Sequence, residues 1–237
     1  MSQILRPLGF RQRAFLGAGL AFIVVLILWN VPQLDFILYP FRLFVTFVHE
    51  SGHGLAAILT GGVWSRFEVM PSGAGFAVTA GGSRAVILAA GYLGAAFFGA
   101  ALFYLANRVP HTRVISVALG IGLIAISWLY GGLFTTAFFV GTLMGIILIV
   151  LARRAHPDVN LIVLNILAML TGLNAVLDVI SLVSNTGATL GAIRNDAAAF
   201  SAEIAPLIPA VVWAALWALI AVAMVGVSVY ASLIRRR

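Results

Sequence analysis

Cysteine and lysine are both missing from this 237-residue chain, and acidic residues are scarce. Without cysteine, neither a disulfide nor a metal site built on thiolates is available. Charged residues make up only 9% of the sequence, whereas a soluble domain carries roughly a quarter. Hydrophobic residues make up 62%. The composition therefore leaves no room for a large soluble domain and predicts a polytopic membrane protein.

The net charge of +7 rests on arginine alone, a balance that would indicate nucleic-acid binding in a soluble protein. Here the arginines cluster at the two ends of the chain and between apolar runs, as at Arg153 and Arg154. Such positions are typical of anchors in the lipid headgroup region. Because no basic patch is interleaved with aromatic residues, we expect the lipid bilayer as a partner and no nucleic acid.

Apolar runs divide the chain into about seven predicted transmembrane helices. The first is long for the core of a cleaved signal peptide and lacks a small-residue cleavage pattern, so it is interpreted as an N-terminal anchor helix. The whole chain, residues 1–237, is predicted to be one all-α integral-membrane domain with its core at residues 41–184. The helices are predicted at residues 14–31, 41–60, 84–107, 115–130, 133–151, 159–182 and 206–234, with a short interfacial helix at 197–204 capped by Asn195 or Asp196.

Residues 63–82 differ in character from the helices on either side. Phe67 and Val69 alternate with charged residues, and a second alternating run follows the Pro-Ser-Gly-Ala-Gly stretch at 71–75. This pattern predicts a short β-hairpin that dips into the membrane, with a plain connecting loop as the alternative. Its backbone must be covered by protein or by a water-filled cavity. Its edge is able to accept an extended substrate as an added strand.

The strongest functional signal is F-V-H-E-S-G-H-G, in which His49, Glu50 and His53 form H-E-x-x-H. Histidines four residues apart on a helix share one face, about 6 Å apart along the axis, and are able to bind one Zn²⁺. Glu50 lies one position round, where a metalloprotease has its general base. The alternative is a pair of buried histidines and a glutamate satisfied by neighbouring groups. The cost of burying such residues in hydrocarbon favours a functional site.

A third ligand is needed, because a catalytic zinc site takes three protein ligands and leaves one position for water. In the predicted helix 159–182, Thr171, Asn174, Asp178 and Ser181 form one polar stripe. Asp178 is the only acidic residue inside this helix, and such a residue is expected to face the bundle interior. It is the predicted third ligand by elimination, since the other acidic residues considered fall in connecting segments: Asp35, Glu68, Asp158, Asp196 and Glu203.

The number of crossings bears on this ligand set. If residues 115–151 cross the membrane twice, three helices separate the motif helix from the Asp178 helix, and the two run parallel. Their ligands then lie at similar depth. A single re-entrant hairpin at 115–151 would make the two helices antiparallel and place Asp178 at the wrong level.

Three stretches together resemble the site-2 protease family of intramembrane zinc metalloproteases, in its small bacterial branch without PDZ or nucleotide-sensing domains. They are H-E-S-G-H with the following G-L-A-A-I-L-T-G-G, the glycine-bearing hairpin, and L-N-A-V-L-D. The resemblance implies that His49 and His53 bind zinc and that Glu50 activates water. It also implies that Asp178 is the third ligand and that Asn174 helps to position the substrate or the oxyanion.

Two positions depart from the pattern of that family. Ala175 follows Asn174 where proline is usual, and Val179 follows Asp178 where glycine is usual. These changes should leave the helix less kinked near the metal. They therefore bear on substrate access and turnover more than on metal binding.

The sequence thus predicts an intramembrane zinc metalloprotease that cleaves transmembrane or membrane-proximal segments of a transmembrane protein substrate. The resemblance implies the bacterial cytoplasmic (inner) membrane as its location. Two alternatives belong to other classes. One is a catalytically inactive, metal-binding membrane scaffold or regulator, and the other is a small transporter that relays ions or protons. Glu50→Gln separates a protease from a scaffold, and bound zinc separates both from a transporter.

Overall fold

The chain folds into a helical bundle with one small sheet between its second and third helices. The computed structural model describes residues 8–184 and 195–235, apart from the side chains of residues 175, 176 and 178–184. In chain order the elements are α1 (Phe10–Asn30), α2 (Asp35–Leu59), β1 (Val63–Val69), β2 (Gly75–Ala80), α3 (Arg84–Arg108), α4 (Thr112–Tyr130), α5 (Thr136–Arg154), α6 (Pro157–Ser184), α7 (Asp196–Glu203) and α8 (Ala210–Val229).

Among the described residues, 6 helices are long and apolar enough to cross a membrane: α1, α3, α4, α5, the first part of α6, and α8 with the π-helical turn that extends it to Ile234. α2 is as long as α3, at 25 residues, but it carries the polar and charged residues of the motif and is not among these six helices. The prediction of a polytopic all-helical membrane fold is confirmed. α4 and α5 are two separate helices of 19 residues each, as the parallel arrangement of α2 and α6 requires.

The motif helix begins six residues earlier than the sequence predicts. α2 starts at Asp35, and Pro40 lies inside it. A proline near the start of a helix removes only one backbone hydrogen bond, so the helix continues through it. Arg42 donates to Asp35 over 2.7 Å and helps to hold this extra turn. Residues 35–40 therefore belong to the helix and not to a link.

The predicted hairpin is confirmed, since β1 and β2 pair antiparallel. The inward side chains of β1 pack against the bundle. Phe67 is fully buried and meets the ring of Phe47 on α2 edge to face, with centroids 4.9 Å apart. Trp64 is 4% exposed and stacks on Tyr130 at the end of α4, with centroids 3.9 Å apart. These aromatic contacts fix the hairpin against α2 and α4.

α3 lies at the centre of the bundle and packs against α2, α6 and α8. Small residues permit this close approach, as is usual where membrane helices meet. A Cβ at Gly99 would lie 2.7 Å from the carbonyl oxygen of Ala168 and equally close to the Cα of Gly172, both on α6. Glycine at position 99 therefore sets the short distance between α3 and α6.

One polar pair joins the same two helices in the bundle interior. Asn107 on α3 donates to Asn165 Oδ1 on α6 over 2.6 Å, and Asn165 donates back over 3.3 Å. Each amide also donates to a backbone carbonyl one turn earlier on its own helix, at 2.8 and 2.9 Å. Both residues are buried, at 3% and 0% exposure. The amides thus satisfy each other and fix how α3 and α6 are aligned.

Candidate metal centre

The two histidines of H-E-x-x-H lie on one face of α2, as their spacing predicts. Their rings meet edge to face with centroids 4.8 Å apart, and their Nε2 atoms are separated by 3.1 Å. His53 is buried, and 19% of the His49 side chain is exposed. The motif therefore presents two imidazole nitrogens to a single point beside α2.

The contact made by His53 Nδ1 determines which of the two ring nitrogens carries the proton. Nδ1 lies 2.6 Å from the carbonyl oxygen of Ile87 on α3. A carbonyl oxygen only accepts hydrogen bonds, so Nδ1 must donate. In the neutral ring, Nε2 then keeps its lone pair and directs it towards His49. Metal-binding histidines are commonly fixed by a backbone carbonyl in this way.

A carboxylate meets the same point, and it belongs to Asp196, the first residue of α7. Its Oδ2 lies 3.0 Å from His49 Nε2 and 3.3 Å from His53 Nε2. Burial acts to raise the pKa of this carboxyl, but the adjacent imidazoles of His53 and His49 lower it further, so the pKa lies well below its usual value. Asp196 is therefore ionised at neutral pH.

From the sequence, Asp196 was excluded as a ligand because it falls in a connecting segment. The location of Asp196 shows that this exclusion was wrong. Asp196 does lie outside the membrane-spanning helices, but α7 packs against α3 and α8 and brings it to a histidine 147 positions earlier in the chain. Asp178 belongs to α6, and its side chain lies outside the described residues, so its role as a ligand stays a prediction.

The three convergent atoms fit a divalent metal. Around a tetrahedral zinc with bonds of ~2.0–2.1 Å, neighbouring ligand atoms are about 3.3 Å apart. The corresponding separations between His49, His53 and Asp196 are 3.0, 3.1 and 3.3 Å. The carboxylate oxygen only accepts hydrogen bonds, so its closeness to two imidazole nitrogens calls for a positive charge between them, which a bound metal ion or a proton on an imidazole would supply. These residues form a group that could hold a metal ion.

Helix α3 comes close enough to enclose this group because Gly91 has no side chain. A Cβ at Gly91 would clash with His49 Nε2 and would lie 2.6 Å from Cε1 of each histidine. One residue later, the ring of Tyr92 lies edge to face against His49, with centroids 4.7 Å apart. Neither residue was predicted for the site. The sequence signal was only a glycine-rich helix, and it does not identify which glycine faces the histidines.

Glu50 lies beside the histidines on the wall of a cavity of about 330 Å³. Its side chain is buried, and residue 50 is 5% exposed. Gly75, the first residue of β2, is so close that a Cβ there would lie 2.8 Å from Glu50 Oε1. Asn174 on α6 lines the same cavity, as do His49 and Tyr92. Glu50, the predicted base, and Asn174, predicted to position the substrate or the oxyanion, therefore line the same cavity.

Thr46 anchors the turn of the hairpin next to this cavity. Its hydroxyl donates to the carbonyl oxygen of Gly73 over 2.7 Å. One turn earlier on α2, Arg42 lines the cavity as well. The wall of the cavity therefore combines α2, the hairpin turn, α3 and α6, and it carries both polar and apolar groups.

Comparison with known proteins identifies a family. A family model described as Peptidase M50B-like matches residues 18–228, which is most of the chain. Searches of curated proteins and of solved structures found no match. The matched range includes every residue of the metal group and of the adjoining cavity.

Proposed function

The chain belongs to the Peptidase M50B-like family, which is the site-2 protease family, and on that premise we propose that it is an intramembrane zinc metalloprotease. Its substrate would be a transmembrane protein, cleaved within or next to its membrane segment. The observation that carries the proposal is the convergence of His49, His53 and a carboxylate beside buried Glu50. We also propose the bacterial cytoplasmic membrane as its location, on the family resemblance of the sequence.

The reaction needs a base, an acid and a stabilised oxyanion. Zn²⁺ held by His49, His53 and a carboxylate would act as a Lewis acid, making a water more acidic and polarising the scissile carbonyl. Glu50 accepts the proton of the attacking water on its carboxylate and delivers it to the leaving amine. Asn174 lines the same cavity, and we propose that its amide donates to the developing oxyanion.

The hairpin offers a way to hold the substrate in an extended conformation. β2 pairs with β1 along one edge, and its first residue lies against Glu50. A substrate strand added to the other edge of β2 would present its backbone carbonyls next to the base. A transmembrane substrate must first unwind locally, because a helix shields its own peptide bonds from attack.

Glu50→Gln tests the catalytic proposal. The variant and the wild type would be co-expressed with tagged single-span model proteins that differ in helix-breaking residues, and cleavage would be followed by immunoblot. Zinc content would be measured on the same purified preparations. The proposal predicts unchanged zinc and no cleavage. The matched control is Asp158→Asn, which removes a surface carboxylate paired with Arg13 and should cleave like the wild type. Cleavage by Glu50→Gln at the wild-type rate would refute the role of Glu50.

A scaffold that binds metal without turnover is the second candidate. The observation that favours it is sequence-based: Ala175 and Val179 replace the proline and glycine that are usual in this family. A scaffold would retain zinc and keep its cellular effect in Glu50→Gln. If the wild type is such a scaffold, it does not cleave the substrate, and restoring the usual residues with Ala175→Pro and Val179→Gly would then produce cleavage.

A further inference from the structure

Helix α7 carries Asp196 to the histidines from outside the membrane-spanning helices. We infer that Asp196 is the third metal ligand and that an ion pair between Arg84 and Glu203 positions it. The inference rests on the proposed metal centre and names its third ligand. It does not depend on whether the protein cleaves a substrate.

α7 has only 8 residues, and a helix of this length is not stable by itself in water. Its geometry therefore depends on its caps and on what it packs against. At its start, Asn195 Oδ1 accepts the backbone N–H of Ala198 over 2.8 Å. This cap fixes the first turn, in which Asp196 is the first residue.

The other end of α7 is held on α3. Arg84, the first residue of α3, donates to both carboxylate oxygens of Glu203, at 2.7 and 3.3 Å. Two parallel bonds define orientation as well as distance. α3 also supplies Ile87, whose carbonyl fixes His53. The same helix end thus orients one histidine and holds the helix that bears the carboxylate.

The middle of α7 is anchored by aromatic contacts. Phe200 is buried and lies against Trp213 and Trp217 of α8, with centroids 4.5 and 5.5 Å apart. These contacts set the distance of α7 from the bundle, whereas the ion pair limits rotation about the helix axis. Rotation matters most, because a ligand atom must lie within about 0.2 Å of its ideal distance from the metal.

A cysteine substitution distinguishes a ligand from a structural residue. The chain contains no cysteine, so any thiolate bound to a metal must come from the introduced residue. Co²⁺ in place of zinc gives thiolate-to-metal absorption in the near ultraviolet only when sulfur is bound directly. Asp196→Cys should show this absorption after Co²⁺ loading. Ser201→Cys on the same helix is the control and should not, because its hydroxyl instead donates to the carbonyl of Ile208.

Asp178→Cys is the competing arm of the same experiment. Absorption from Asp196→Cys, with or without absorption from Asp178→Cys, supports the inference. No absorption from Asp196→Cys in a folded, Co²⁺-binding protein would overturn it. Because the readout is spectroscopic, a protein that never cleaves a substrate still gives a decisive result. Failure of proteolysis and failure of this ligand assignment are therefore separable.

The positioning role of Arg84 has its own test. Exposed ion pairs are worth up to about fivefold in an equilibrium constant. Arg84→Gln and Glu203→Gln should each lower zinc affinity about threefold to fivefold, measured by competition with a chelating dye. The double charge swap, Arg84→Glu with Glu203→Arg, should restore most of the affinity. Arg13→Gln, which breaks an ion pair elsewhere, should not change it. Equal affinity in all these variants, or no recovery in the swap, would rule out the positioning role.

Discussion

Gly91→Ala should lower zinc affinity at least 100-fold although position 91 carries no ligand. The added Cβ would clash with His49 Nε2 and would lie 2.6 Å from Cε1 of His53. Ordinary contacts begin near 3.4 Å, so ring or helix must move by about 1 Å. His53 cannot turn away freely, because its Nδ1 is bonded to Ile87. His49 is confined on its other side by the ring of Tyr92.

The required movement is several times the tolerance of a metal site, which is about 0.2 Å in each bond. Mutating a residue that only hydrogen-bonds to a ligand already lowers metal affinity roughly 10-fold to 100-fold. Displacing the ligand nitrogens themselves should cost at least 100-fold. The accompanying strain from overpacking is of order 1–3 kcal/mol, which leaves a folded protein.

The assay is zinc content and chelator competition on purified protein, with helix content measured by circular dichroism on the same sample. Gly94→Ala is the matched control, because a Cβ there meets only Gly52 Cα, at 3.4 Å. We expect Gly94→Ala to bind zinc like the wild type. Wild-type zinc affinity in Gly91→Ala would refute the argument that α3 closes directly over the imidazoles.

Two further predictions follow from close contacts on α3, α6 and β2. Asn165→Leu should destabilise the protein by ~1–3 kcal/mol, because it leaves the Asn107 amide without its partner in the bundle. Asn107→Leu with Asn165→Leu should recover much of this in thermal unfolding, and a double variant no more stable than the single one would contradict it. Gly75→Ala should lower cleavage of a model substrate without loss of zinc, because its Cβ would press on Glu50 Oε1 at 2.8 Å. Unchanged cleavage would show that the start of β2 does not constrain the base.

Local pattern was enough to predict most of the elements. The alternation around Phe67 and the Pro/Gly turn predicted the hairpin, and the apolar runs predicted the long helices. The four-residue spacing of His49 and His53 predicted that both lie on one face of α2. These features depend on residues close together in the chain, where helix and strand periodicity act directly.

What the sequence did not predict is contact between distant residues. Asp196 reaches His49 across 147 positions, and nothing in the stretch around it marks that contact. The sequence did predict a short helix at 197–204 capped by Asn195 or Asp196, and α7 confirms the helix with Asn195 as its cap, but the sequence did not connect this helix to the site. The ring of Tyr92 and the space at Gly91 likewise depend on how α3 packs against α2.

The most direct test of the metal centre is X-ray absorption at the zinc edge of the purified, full-length protein. We expect one zinc per chain, with two imidazole nitrogens and oxygen donors at ~2.0–2.1 Å. His49→Ala and His53→Ala should each remove the imidazole signal together with the metal. A purified, folded protein that binds no zinc, or a zinc whose spectrum survives both substitutions, would contradict the assignment of H-E-x-x-H as the metal site.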